Sequence, residues 1–177
     1  MRPLDIRTER LTISPFEEGD AARLADIVSD PGVASMMSSF TQAYTEGQAL
    51  ERIRSGAFRG TLGFSAAIRR NGEVIGLIGI GGEPTDTAYL LGRDYWGQGY
   101  ATEAMEGFLT DVFSRFDLAE VEAGSFADNP ASQHVLKKLG FVKTGETMEH
   151  SKARLEPALC FKYRLTREAF ANRKSVS

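Results

Sequence analysis

One segment limits what this chain can fold into more than any other. It reads Trp96-Gly97-Gln98-Gly99-Tyr100-Ala101-Thr102 and runs straight into apolar residues at helical spacing: Ala101, Ala104, Met105, Phe108, Leu109, Val112 and Phe113. Three turns of such a stripe form a helix that buries one face. A glycine-rich turn opening that helix leaves backbone N–H groups pointing outward beside the positive end of the helix dipole, a setting that receives anions, most often phosphate. A G-x-G pair alone also serves tight turns with no ligand. A second segment adds weight: Asn129-Pro130-Ala131-Ser132, then six residues, then Leu139-Gly140-Phe141.

The rest of the chain is read as alternating strands and helices. Leu11, Ile13 and Pro15 alternate with polar residues, and residues 8–16 are expected to form an opening strand. Asp20 is placed to cap a helix carrying Ala21, Leu24, Ala25 and Val28, which Pro31-Gly32 should end. Thr45 and Gln48 have capping-box spacing ahead of Ala49, Leu50 and Ile53. Residues 64–69 and 74–80 flank Asn71-Gly72, a type I′ hairpin signal. Further strands are expected at 89–91, 121–126, 141–147 and 159–165, with a short helix after Asn129 closed by Gly140. The expectation is one α/β domain over residues 1–177, a sheet with helices on its faces. Its 42% hydrophobic content suits a sizeable core.

A net charge of −3 gives no general electrostatic reason to bind nucleic acid or an anionic membrane. No apolar run approaches the roughly 20 residues that span a bilayer, and none follows the start as in a signal peptide. The lone Cys160 has no internal partner, which points to a reducing cytoplasm. With only His134 and His150 beside it, no Cys/His metal cluster is expected.

These motifs together resemble the GCN5-related N-acetyltransferases, especially the RimJ/RimL-like group. The likeness starts at Thr8-Glu9-Arg10-Leu11-Thr12. It continues through residues 95–104, Asn129-Pro130-Ala131-Ser132 and Lys138-Leu139-Gly140-Phe141. It implies a mixed, mostly antiparallel sheet flanked by helices, with a V-shaped opening between the strands at 89–91 and 121–126 and the glycine turn at its mouth. It also implies acetyl-CoA as co-substrate and an amine as acceptor, with no metal. By the resemblance, Gly97, Gln98, Gly99, Tyr100, Ala101 and Thr102 receive the pyrophosphate, and Tyr89, Leu90 and Leu91 pair with the pantetheine arm through their backbone amides. The Asn129 side chain contacts the cofactor near that arm. Trp96 replaces the usual first polar residue of the phosphate motif and is expected to pack beneath the turn. Glu103, near a helix start, is expected to be structural.

The implied chemistry is direct transfer, speeded by proximity and by donors aimed at the developing oxyanion. Many relatives place a tyrosine seven residues after the asparagine as acid for the departing thiolate; here that place is Leu136. Ser132, one helical turn beyond Asn129, is the candidate thiolate partner, with a solvent-facing helix serine as the alternative. Asp86 is a weak candidate for the base that deprotonates the amine; Glu83, Glu149 and His150 are others, and ordered waters can also remove the proton. Acceptors within this expectation are a protein N-terminus, an amino acid or another small amine. The protein would be a monomer or homodimer. A different class, an idle acyl-CoA-binding or sensing module, stays open because the usual tyrosine is missing. A nucleotide-binding reading fails, since no G-x-x-x-x-G-K-[ST] occurs and Gly79-Ile80-Gly81-Gly82-Glu83-Pro84 is no dinucleotide fingerprint.

Overall fold

The computed structural model describes residues 1–173. Five antiparallel strands make one sheet in sequential order: β1 (Ile6–Arg7), β2 (Thr12–Ser14), β3 (Phe64–Arg70), β4 (Glu73–Ile80) and β5 (Thr87–Leu91). A second sheet is ordered β6 (Glu120–Phe126), β8 (Ala158–Thr166), β7 (Val142–Glu149). The helices are α1 (Ala21–Ser29), α2 (Pro31–Ala34), α3 (Glu46–Ser55), α4 (Tyr100–Arg115), α5 (Pro130–Lys138) and α6 (Arg167–Asn172). No helix among the described residues is long and apolar enough to cross a membrane.

Local chemistry explains most boundaries. Asn71 and Gly72 both take left-handed backbone, φ 51° and 81°, which turns β3 into β4. Thr45 and Gln48 form the reciprocal capping box that starts α3. The Asn129 side chain accepts from the Ser132 N–H to start α5, and Gly140 ends it at φ 99°. β4 reads as a nearly continuous apolar run because both its faces are buried. Ile75, Ile78 and Ile80 join Tyr100, Met105, Phe108 and Val112 in one core, while Val74 and Leu77 join Leu24, Val28 and Ile53 of α1 and α3 in another.

Some expectations needed correction. The opening strand is only Thr12–Ser14, preceded by a separate β1. Asp20 sits at the α1 N-cap without a side-chain cap bond, because its carboxylate instead receives Glu17 N–H and the Arg69 guanidinium. Pro31-Gly32 does end α1 but also starts α2, capped by Asp30, since proline is favourable at a first helical position.

The two sheets touch where β5 and β6 begin. The Glu122 N–H donates to the Thr85 carbonyl at 2.9 Å, and Asp86 and Glu122 form a single parallel bridge. Beyond that bridge the two strands belong to different sheets and pair with other neighbours. A cleft opens between them.

Candidate active site

The cleft has a volume of about 450 Å³. Its walls are β5, the 123–125 part of β6 and α5, and its mouth holds Gly97, Gly99, Tyr100, Ala101 and Thr102. Gly97 and Gly99 take φ 70° and 83°. In this left-handed conformation a side chain is strained. α4 starts at Tyr100 with Gly99 as an N-cap that offers no side chain. Among the described residues no protein acceptor faces the N–H groups of residues 97–102. A run of unpaired donors at the start of a sixteen-residue helix is a setting that suits an anion.

A clasp from the other end of the sequence fixes this turn. The Glu103 carboxylate receives Thr8 Oγ1–H at 2.5 Å, Arg10 N–H at 2.8 Å and Arg10 Nε–H at 2.7 Å. Arg10 Nη1 also donates to the Gln98 carbonyl at 3.0 Å, and its guanidinium lies 4.3 Å over the Tyr100 ring. Burial works against the Glu103 charge, yet these donors outweigh it and hold the carboxylate below its usual range. The structural reading of Glu103 stands, with its partners identified. Arg70 approaches Tyr100 as well, 5.4 Å from the ring centre, and Lys138 lines the cleft.

Trp96 is not packed beneath the turn as expected. It is 43% exposed, lines the cleft, donates Nε1–H to the Leu91 carbonyl at 2.9 Å and lies under the Arg93 guanidinium.

β5 presents a free edge to the cleft. Gly92 N–H pairs with β4 at Ile75 O, whereas the Thr85 and Leu91 carbonyls point the other way, to Glu122 and Trp96. Peptide groups along a strand alternate with period two. Tyr89 and Leu91 thus turn their peptide groups to the cleft, while Leu90 turns its own to β4, where its carbonyl lies against Gly76.

On the opposite wall the Asn129 Oδ1 atom accepts from Ser132 N–H at 3.2 Å, so the cap uses the oxygen and leaves Nδ2 to donate. Ser132 lines the cleft, as do His134 and Lys138 further along α5. Leu136, in the slot where many relatives carry tyrosine, is 2% exposed. Tyr89 of β5 and Ser132 of α5 line the same cleft. Burial raises the Tyr89 phenol above the usual tyrosine range. Sequence reading gave Tyr89 a backbone role only.

The base candidates lie elsewhere. Asp86 is exposed at the closed end of the V, outside the cleft lining. Glu149 is paired with Lys162 at 2.7 Å. Glu83 and His150 are exposed. Cys160 is buried, and burial raises its thiol. Among the described residues no group of three or more His, Cys, Asp or Glu is arranged to hold a metal ion.

The segment that brings Val33, Met36 and Met37 to the cleft is tied to the β7–β8 connection. Ser151 Oγ–H donates to Met37 O at 2.6 Å and Arg154 Nε–H to Ser35 O at 2.7 Å. Arg154 also forms a two-pronged pair with Asp128.

Comparison with known proteins agrees with this geometry. The family model described as the acetyltransferase (GNAT) domain matches residues 10–142. The uncharacterized N-acetyltransferase p20 of Bacillus licheniformis is 31% identical over 155 residues, 83% of this chain and 87% of that protein. Mycobacterium smegmatis RimJ in complex with CoA-disulfide has a similar structure, with a TM-score of 0.79 at 19% identity, over 97% of this chain and 92% of that one. The spermidine N-acetyltransferase from Vibrio cholerae in complex with CoA and spermine gives 0.77 at 14% identity, over 92% and 99%. These last two likenesses concern the fold. The family match spans three quarters of the sequence, and with it this chain belongs to the GNAT acetyltransferases.

Proposed function

We propose that this protein transfers the acetyl group of acetyl-CoA directly to an amine, and that residues 1–177 form one domain for that purpose. The observation that carries the reading is the run of unpaired N–H groups on the left-handed Gly97–Gly99 turn at the mouth of a cleft with a free strand edge. Phosphate suits the first feature and an extended amide-bearing arm suits the second. In this reading the pyrophosphate lies on residues 97–102, and the arm runs beside Tyr89 and Leu91 and under Asn129 Nδ2. Ser132 stands next to the sulfur. The amine attacks the thioester carbon, the C–S bond breaks, and no acyl-enzyme forms; Cys160, buried with a raised thiol, is unsuited to attack.

The acceptor enters beside Val33, Met36 and Met37. Of the base candidates Asp86 stays the weak one, acting through water from its exposed position. A cytoplasmic location and a monomer or homodimer complete the proposal. Protein incubated with acetyl-CoA and a panel of peptides, amino acids and small amines, read by mass spectrometry, should yield an N-acetylated product. Tight acetyl-CoA binding with no product from any amine would favour the idle-module reading instead.

A further inference from the structure

Forked arginine–aspartate pairs stand at both ends of the short helix α2. At its start the Asp30 carboxylate caps the helix through Gly32 N–H at 2.8 Å and receives Arg93 Nε–H and Nη2–H, both at 2.7 Å. Arg93 lies just beyond the end of β5. At the other end the Ser35 carbonyl receives Arg154 Nε–H at 2.7 Å, and the same guanidinium grips both Asp128 oxygens at 2.8 Å. Asp128 lies just beyond the end of β6, immediately before Asn129. β5 and β6 separate from the Asp86–Glu122 bridge toward Leu91 and Phe126, so α2 is tied to both strands at their open ends. Arg154 is firmly held. Its side chain is only 15% exposed although it comes from an irregular connection; it lies 4.1 Å over the Phe126 ring, and Nη2 approaches Met36 Sδ at 3.8 Å. The connection is anchored in turn, since the buried Ser151 donates to Met37 O and Lys152 N–H donates to Ser38 O.

We propose that Arg154, gripping Asp128, is a positioning residue for the acceptor: with the Arg93–Asp30 pair it fixes α2 across the open end of the V and so sets where the amine meets the thioester. The inference rests on the acetyl-transfer reading above, in which the acceptor enters beside Val33, Met36 and Met37. Those residues belong to α2 and the turn after it, whereas the cofactor is read by β5, the glycine turn and Asn129. Releasing α2 at its Arg154 end leaves the phosphate turn in place and lets the acceptor wall drift from the thioester. A misplacement of about 1 Å costs up to about a hundredfold in transfer. Arg154 is outside the cleft lining and acts through the wall it holds. Lysine is a poor substitute, because a single ammonium cannot make the planar fork to Asp128 and reach Ser35 O as well.

The test compares wild type with Arg154→Lys, Arg154→Met, Asp128→Asn and the double variant of the last two, each checked for folding by circular dichroism. CoA affinity by calorimetry should stay within a few-fold throughout. Transfer from acetyl-CoA is measured to the amine that wild type acetylates fastest in the panel above. In Arg154→Met, kcat/KM for that amine should fall about tenfold or more at saturating acetyl-CoA, with the KM for acetyl-CoA nearly unchanged. Arg154→Lys should recover only part of the loss. The double variant should be no worse than Arg154→Met, because both changes cut one tie. Asp128 is 60% exposed, so Asp128→Asn decides the matter if Arg154→Met fails to fold, and its kcat/KM must fall in the same selective way. A second readout needs no acceptor. With methyl-labelled methionine, NMR of the CoA complex should show the Met37 signal shifted in Asp128→Asn and that of Met105, buried in the other core, unmoved. A folded Arg154→Met variant with wild-type kcat/KM, an equal rise in both KM values, or an unmoved Met37 signal would each overturn the inference. Failure of wild type to acetylate any amine would instead remove the acetyl-transfer reading, and the acceptor role of Arg154 with it.

Discussion

Gly99→Glu separates the stability of the phosphate turn from its function. At φ 83° and ψ 3° any side chain pays the left-handed penalty, about 1–2 kcal/mol. Against that, an acid at a helix start is favourable by about 0.3–1 kcal/mol. The net cost is therefore about 1 kcal/mol, a fall in Tm of roughly 2–4 °C for a domain of this size. The Cβ itself has room, its nearest neighbour being Arg10 Nη2 at 3.4 Å. The ligand has none. A carboxylate within about 4 Å of a phosphate charge costs about 4 kcal/mol at an effective dielectric of about 20. That is about three decades in Kd. Arg10 is already committed to Glu103 and the Gln98 carbonyl, so it cannot neutralise the newcomer without releasing the turn. Gly99→Asn is the control, because asparagine tolerates left-handed backbone and brings no charge. Scanning calorimetry and titration with CoA should find both variants folded, the Asn variant weakened modestly and the Glu variant without measurable binding. A folded Gly99→Glu variant that binds CoA within tenfold of wild type would refute the placement of phosphate on this turn.

Other outcomes follow from the surrounding contacts. Glu103→Gln and Arg10→Ala should each weaken CoA binding roughly two- to tenfold, the cost of re-ordering a loosened turn on binding, while leaving the fold intact by circular dichroism. The Arg93 guanidinium, with help from the Gly32 N–H, lowers the Asp30 carboxyl to about 2. Its folded value lies below the ordinary value of about 3.9, so its contribution is present above that value and is lost as pH falls toward about 2. Thermal unfolding of Asp30→Asn across that window should show a shallower pH slope than wild type. Phe108→Ala removes a fully buried ring and should cost about 3–5 kcal/mol by denaturant unfolding.

Sequence was most informative where a structure is decided by neighbours. Asn71-Gly72, Thr45 with Gln48, and Asn129 with Gly140 each carry their turn or cap within a few residues, and each forms as its residues dictate. β5 and β6 were legible as strands, and the V between them came from the family resemblance rather than from periodicity. What stayed hidden was tertiary. Arg10 meets Glu103 across 93 positions, and the bonds from Ser151 to Met37 and from Arg154 to Ser35 span more than a hundred. Asp20 looked like a cap, but Arg69 from another strand claims its carboxylate. Trp96 was expected to pack beneath the glycine turn, yet here it is 43% exposed, bonded to Leu91 O and lying under Arg93. α6 and β1 were missed because two to six residues carry too little periodicity to register.

The central claim is tested most directly by a crystal structure of the protein with CoA. The account predicts pyrophosphate oxygens within hydrogen-bond distance of the N–H groups of residues 97–102, and the pantetheine amides along Tyr89 and Leu91. It also predicts the sulfur beside Ser132. CoA bound away from the cleft, or in the cleft with its phosphates turned from the glycine turn and its sulfur remote from Ser132, would contradict it.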